Sequence, residues 1–362
     1  MKVGLDAHMV GGQETGNETY VKGLVAGFQT GFDGVDMVVY NLGQPWTQPS
    51  RGVRFQRLTT ANPYVRLGVE LPVRSLGLDL LHMTYAAPVW SRSPLVLTVH
   101  DICYATNPEW FSARDLQVLN ANVPRSIRAA AHVITDSHSA REQIIDTYHV
   151  PADRITAIPI GPGSGAEGIG DEEARTLVSE LGLPRARPYL LAVGNLQPRK
   201  NLVRLIQAFT IVAGRGHDVD LVIVGPRHYR ADDAVAAASP VSERVHFTGY
   251  VTDRQLSACY ECATAFVFPS LYEGFGLPAL EAMAHGVPMA CSDAGSLPEV
   301  CGDAAILFDP HSIDAIADSV GRLLDDSDLR RRLATAGPER ARQFSWTRTA
   351  ELTLDVYRAV AR

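Results

Sequence analysis

Short apolar runs of strand length alternate with helix-length segments along all 362 residues of this chain, and the alternation starts afresh near its middle. Parallel strands need long crossovers and cover on both faces, so the pattern points to parallel sheets flanked by helices. In the first half it predicts strands at 2–6, 36–40, 53–58, 78–82, 95–100 and 132–135, with helices near 17–28, 113–130 and 137–148. The second series predicts strands at 189–193, 220–224, 245–247, 265–268, 289–291 and 306–308. Helices near 171–181, 202–213, 253–261, 278–285, 313–324 and 328–341 accompany them. Residues 158–170, with five glycines and two prolines, separate the series as a linker. Two domains are therefore expected, 1–160 and 161–345, followed by a last helix from Trp346 to Val360 with Ser345 as its N-cap.

Composition narrows the class. With 46% hydrophobic residues each half has apolar surface enough for its own core. A formal charge of −7 argues against broad nucleic-acid binding. No secretory signal and no run of about 18 apolar residues is visible, which predicts a cytoplasmic protein without a membrane span. Five scattered cysteines read as free thiols of a reducing compartment. The Cys259-x-x-Cys262 pair has no second pair, falls in a helical pattern, and reads as helix packing rather than a metal or redox site.

The most telling stretch runs from Phe268 to Glu281, Phe-Pro-Ser-Leu-Tyr-Glu-Gly-Phe-Gly-Leu-Pro-Ala-Leu-Glu. An apolar strand ends at Pro269, Gly274 and Gly276 free the backbone for a turn, and Pro278 suits the start of a helix. The amides of Gly274, Phe275, Gly276 and Leu277, with the helix dipole behind them, favour a phosphate or sugar oxygen. Glu273 and Glu281 bracket the turn, so both can face one ligand and accept hydrogen bonds from vicinal hydroxyls. The bland alternative for each is a dipole-stabilised or solvated glutamate. A second strand ends in Gly194-Asn-Leu-Gln-Pro-Arg199-Lys200-Asn201 just before a helix. Two cations oppose that helix's dipole unless an anion lies between them, which suits a diphosphate; a solvated basic loop is the alternative.

The Phe268–Glu281 string resembles the signature of retaining glycosyltransferases of family 4, and the Gly194–Asn201 string resembles a branch rich in mannosyltransferases. Asn195 stands where many members carry an arginine. The resemblance implies the GT-B fold, an α/β architecture of two Rossmann-like domains facing each other across a cleft. The first would bind the acceptor and the second the nucleotide sugar, with residues 346–362 packing back on the first. It also implies a donor of the nucleoside diphosphate sugar type, GDP-mannose first, gripped by Arg199, Lys200 and the turn amides. Glu281 would hold the ribose and Glu273 the hexose.

Gly16, in the loop entering the first long helix, would close over the donor, and His100, after the strand at 95–100, would contact the hexose. Tyr250 and Val251 would edge the base, Tyr250 reading equally as a packing residue. The resemblance implies retention of configuration through same-face attack, with neither metal nor cofactor, and no Asp-x-Asp supplies a metal site. Glycans, lipid-linked compounds and small molecules all remain open as acceptors. Arg51, Arg54, Arg57, Arg66 and Arg74 either are solvated or face an anionic lipid in peripheral membrane contact. A nucleotide-sugar epimerase of the same fold and an inactive sugar-nucleotide-binding partner subunit are the rival readings.

Overall fold

The computed structural model describes residues 1–12, 15–166, 168–183 and 187–361. Its contacts divide the chain into two units, one of Met1–Pro108, Ala113–Gly161 and Phe344–Arg362, the other of Glu109–Ser112 and Pro162–Gln343.

The first unit holds one seven-stranded sheet, β3-β2-β1-β4-β5-β6-β7. Its strands are β1 Lys2–Asp6, β2 Asp36–Asn41, β3 Val53–Arg57, β4 Leu80–Thr84, β5 Leu95–Thr98, β6 His132–Thr135 and β7 Ile155–Ala157. All pairings are parallel. The interior strands β4 and β5 are buried along their whole length, as a sheet covered on both faces requires. The second unit holds a six-stranded parallel sheet, β10-β9-β8-β11-β12-β13. Here β8 is Tyr189–Val193, β9 Asp220–Val224, β10 Val245–Gly249, β11 Ala265–Phe268, β12 Met289–Ser292 and β13 Ile306–Phe308. Leu190, Leu221, Ile223 and Val267 of these strands meet Ile206, Phe209, Ile316 and Leu323 of the covering helices in one core.

Twelve of the thirteen strands overlap the predicted positions; β7, a three-residue edge strand, is too short to show an apolar period. The sequence reading also passed over the helices Ala231–Ala237 and Leu297–Cys301 and the helical segment 63–74. Each is short, so propensity alone says little.

Within the first unit the helix Trp346–Val360 packs on the helix Thr15–Gln29. Trp346 lies in a cradle of three glycines: a Cβ on Gly23 would stand 2.0 Å from its ring, one on Gly27 2.2 Å from its carbonyl oxygen, and one on Gly161 2.7 Å from its ring. Polar contacts lock the same helix to the sheet. Tyr357 Oη is 2.6 Å from His82 Nδ1, His82 Nε2 is 2.7 Å from Thr98 Oγ1, and Tyr20 Oη is 2.9 Å from the same Thr98 atom. Burial lowers the pKa of His82 to about 3, so this imidazole is neutral.

Candidate active site

Open parallel sheets bind ligands beyond the carboxyl ends of their strands, and the second unit brings Arg199, Lys200 and Glu273 together there. After β8 the chain passes Gly194 into a 3₁₀ turn, Pro198–Lys200, and on into the helix Leu202–Gly214. Gly194 has φ 148°, and a Cβ there would stand 2.9 Å from Lys200 Cε. Its missing side chain is what lets the lysine run along the strand end. Asn201, left-handed at φ 57°, pins the turn by donating from Nδ2 to the carbonyls of Pro269 and Pro310 at 3.0 and 2.7 Å.

Lys200 thereby reaches Glu273, in the loop after β11, with Nζ 2.6 Å from Oε1. Arg199 Nη1 donates to Oε2 of the same carboxylate at 2.7 Å and to the Tyr272 carbonyl at 2.9 Å. The Lys200 ammonium also lies 4.9 Å from the centroid of the Phe268 ring. Glu273 and Lys200 are 6% and 7% exposed, which makes this a buried cluster. Burial alone would push the Glu273 carboxyl up; the charges of Arg199 and Lys200 outweigh it and bring the pKa to about 2. Two cations thus share this one carboxylate.

The loop continues through Gly274, Phe275 and Gly276 into the helix Leu277–Ala284, with Pro278 in its first turn. Gly276 has φ 105°, and a Cβ there would collide with Leu297 at 2.6 Å. Ser296 holds the loop from behind, its hydroxyl 3.0 Å from the Glu273 carbonyl and 2.7 Å from that of Phe275. The helix therefore begins at the loop that carries Glu273, and its first N–H groups have no intrahelical acceptor.

Glu281, on that helix, lies in a different electrostatic setting. Burial raises its pKa to about 7, against the one hydrogen bond from Tyr260 Oη to Oε2 at 3.0 Å. The Tyr260 ring stacks on His285, whose Nε2 is 2.6 Å from the Gly165 carbonyl. A Cβ on Gly165 would lie 3.6 Å from the Glu281 carboxyl carbon. The two glutamates thus differ in their settings: Glu273 is a paired anion, while Glu281 is poised between its neutral and charged forms.

Tyr250 and Val251 follow the edge strand β10. Val251 is buried and Tyr250 is 58% exposed, so the packing role belongs to Val251. In the first unit His100 follows β5, and its Nδ1 is 2.6 Å from Asp136 Oδ2. Burial lowers the pKa of His100, but the Asp136 and Asp101 carboxylates prevail and raise it above the ordinary histidine value. Tyr20 meets the His100 ring edge-on at 4.8 Å between centroids. Gly16 lies in the first turn of the helix Thr15–Gln29, and a Cβ there would meet nothing within 4 Å. Packing among the described residues does not demand a glycine at this position.

Sequence reading missed Ser296, Tyr260, Asp136 and Gly165. The strand-end rule pointed to the loop after β12 that carries Ser296 and to the end of β6, where Asp136 stands; Tyr260 left no signal of its own. Cys259 is buried in the helix Asp253–Glu261 and Cys262 lies just past its end, both free, as is each of the other three cysteines. Of the arginines singled out in the first half, Arg66 is buried, Arg74 pairs with Glu70 and Arg54 with Asp36. Among the described residues no helix is long and apolar enough to cross a membrane, and no three His, Cys, Asp or Glu are grouped to hold a metal ion.

A family model described as Glycosyltransferase Family 4 matches residues 10–161, and one described as Glycosyl transferases group 1 matches residues 174–340. The O-antigen chain mannosyltransferase B of Escherichia coli is 34% identical over 267 residues, covering 73% of this chain and 70% of that protein. The chain belongs to glycosyltransferase family 4. The serotype-specific mannosyltransferase WbdA of Escherichia coli is 30% identical over 268 residues, 72% of this family 4 chain, but the match spans only 33% of its own length. Among solved structures, Anabaena HepE in complex with UDP-glucose superposes with a TM-score of 0.76 at 19% identity, covering 99% of this chain and 100% of that one. At that identity the likeness carries the fold, which is GT-B, with two Rossmann-like units.

Proposed function

We propose that this glycosyltransferase moves a hexose from a nucleoside diphosphate sugar to an acceptor hydroxyl with retention of anomeric configuration, mannose from GDP-mannose being the first choice. The observation that carries this reading is the buried cluster in which Lys200 and Arg199 meet Glu273, beside the loop that opens the helix Leu277–Ala284. Two cations beside a helix N-terminus suit the diphosphate of a nucleotide sugar, whose negative charge grows as it leaves in such a transfer. The mannosyltransferase relatives support the choice of sugar.

In this reading Lys200, Arg199 and the amides of Gly274 to Leu277 neutralise the charge that builds on the departing phosphate oxygen. No divalent ion is called on for that task. Glu273, held ionised by its two cations, accepts hydrogen bonds from hexose hydroxyls, and Glu281 does so from the ribose. His100, with Nδ1 turned to Asp136, offers Nε2 to the hexose. The departing phosphate takes the acceptor proton on the same face. Gly16, Tyr250 and Val251 border the donor, and five free thiols fit a reducing cytoplasm.

Thermal-shift titration with GDP-mannose, UDP-glucose and other nucleotide sugars tests the donor, since a ligand that binds only the folded state raises Tm. Acceptor trials with the best donor follow, and nuclear magnetic resonance of the product reads its anomeric configuration. An inverted product, or stabilisation by no nucleotide sugar, removes the proposal. Conversion of the donor with no acceptor present reassigns the chain as an epimerase.

A further inference from the structure

Arg66, in the first unit, is a covered cation without a counterpart. The residue is 6% exposed, yet among the described residues its guanidinium donates no hydrogen bond and meets no acid, and Nε is covered with no acceptor. Glu70, the acid one helical turn on, gives Oε1 to Arg74 Nη2 at 2.7 Å and to the Thr59 N–H at 2.8 Å. Buried polar groups are nearly always hydrogen-bonded, and a covered charge left alone is costly.

The backbone puts this residue where an open parallel sheet takes its ligands. Residues 58–62 leave the carboxyl end of β3, and the Leu67 carbonyl accepts from the N–H of Val89, in the loop after β4, at 2.9 Å. Arg66 therefore stands between two loops at the carboxyl end of the first sheet. Both loops depart from regular backbone. Arg66 opens a turn of π-helix, Arg66–Glu70, a rare form that recurs at functional sites. Tyr85, the first residue after β4, is left-handed at φ 55°, which costs a residue with a side chain free energy. Its ring meets His100 edge-on at 5.6 Å between centroids, so the loop beside Arg66 also reaches the histidine assigned above to the hexose.

We propose that Arg66 is the recognition residue of an oxyanion site in the first unit, and that the acceptor brings the oxyanion, as a phosphate or a carboxylate. The acceptor clause rests on the transfer proposed above; the site itself does not. A guanidinium presents five N–H donors in a fork that matches either group. None of those donors is used among the described residues, and a bound oxyanion supplies the charge and the acceptors that burial withholds. At 6% exposure the guanidinium meets an anion that enters the unit. A solvated arginine, or one facing a lipid surface, would stand out into water.

Calorimetric titration of the full chain with inorganic phosphate and, at equal ionic strength, with acetate tests the site. The wild type should bind one or both, and Arg66→Met should bind the same anion about tenfold more weakly. In buffer free of both anions Arg66→Met should keep or raise Tm, because it removes a buried charge that lacks a partner. Should Arg66→Met fail to fold, Arg66→Lys serves in its place and should weaken binding several-fold, since an ammonium cannot make the paired contact. Wild-type protein that binds neither anion overturns the proposal, as does equal binding by a folded Arg66 variant. A lower Tm of Arg66→Met in the anion-free buffer also overturns it, because the side chain then serves packing. Lys200→Met separates this site from the donor cluster. Affinity lost in Lys200→Met and kept in Arg66→Met overturns the Arg66 site, while the opposite pattern upholds it and counts against the donor reading. In the transfer assay Arg66→Met should raise acceptor KM about tenfold with donor KM unchanged, and an unchanged acceptor KM removes the acceptor from the site.

Discussion

The Lys200 ammonium stands 2.6 Å from Oε1 of Glu273, although 73 residues separate them in the chain. The contact joins the loop after β8 to the loop after β11 and buries both charges. Removing one member of a buried pair typically costs roughly 3–5 kcal/mol, because the other is left uncompensated. Glu273→Ala should therefore lower Tm and also reduce kcat/KM by about 10² or more, by the proposed contact to the hexose. Lys200→Met should reduce kcat similarly, with Arg199 still holding Glu273. Calorimetry and steady-state kinetics read the two effects, and full turnover in a folded Lys200→Met variant would refute the proposed role.

The two glutamates predict opposite stability profiles with pH. Glu273 has a folded pKa near 2, below its value in the unfolded chain. Its contribution, on the order of 3 kcal/mol, is complete above about pH 4.3 and is lost as pH falls through 2. Glu281 has a folded pKa near 7, above its unfolded value. Its contribution is complete below about pH 4.3 and is lost as pH rises through 7. Glu281→Gln should therefore melt close to wild type at pH 5 and above it at pH 8. A glutamine variant less stable than wild type at pH 8 would show that the folded protein prefers the ionised carboxylate.

Because an ionised carboxylate is the better acceptor for ribose hydroxyls, donor affinity in the proposed function should rise between pH 6 and pH 8. Glu281→Gln should flatten that rise. Calorimetric titration with GDP-mannose at the two pH values is the measurement, and an identical pH dependence in wild type and variant would separate Glu281 from donor binding.

Ser296 makes two hydrogen bonds to the loop that carries Glu273. Ser296→Ala takes the hydroxyl donor from the Phe275 carbonyl, while the Glu273 carbonyl keeps the Ser296 N–H at 3.3 Å, at a cost of about 1–3 kcal/mol. Urea denaturation should show the loss, and donor KM should rise more than kcat falls. Unchanged stability would mean that the loop holds its shape without the serine.

Gly23 allows the ring of Trp346 to lie against the helix Thr15–Gln29, where a Cβ would stand 2.0 Å away. Gly23→Ala should destabilise the first unit by roughly 1–3 kcal/mol through overpacking, even though alanine is the better helix former. A red-shifted tryptophan emission together with a lower Tm checks this; an alanine variant as stable as wild type would rule the close contact out.

Much of the fold was legible in the sequence because parallel strands buried on both faces are written as apolar runs, Tyr189–Val193 and the four residues 221–224 of β9 among them. The loop glycines and Pro278 likewise mark the turn that opens the helix Leu277–Ala284. The edge strand Ile155–Ala157 was invisible because three residues show no period.

By itself, the order of residues determined the longer elements and that Glu273, Arg199 and Lys200 stand in loops after strands with Glu281 in the helix that follows, since backbone geometry and apolar period are local properties. Only the tertiary structure decided what each acid is chemically. Glu273 meets two cations from another loop and stays charged, while Glu281, 21 residues from Tyr260, meets a phenol in an apolar setting and is held near neutrality. A pKa depends on which charges and how much water lie within a few ångströms, and those neighbours come from distant parts of the chain.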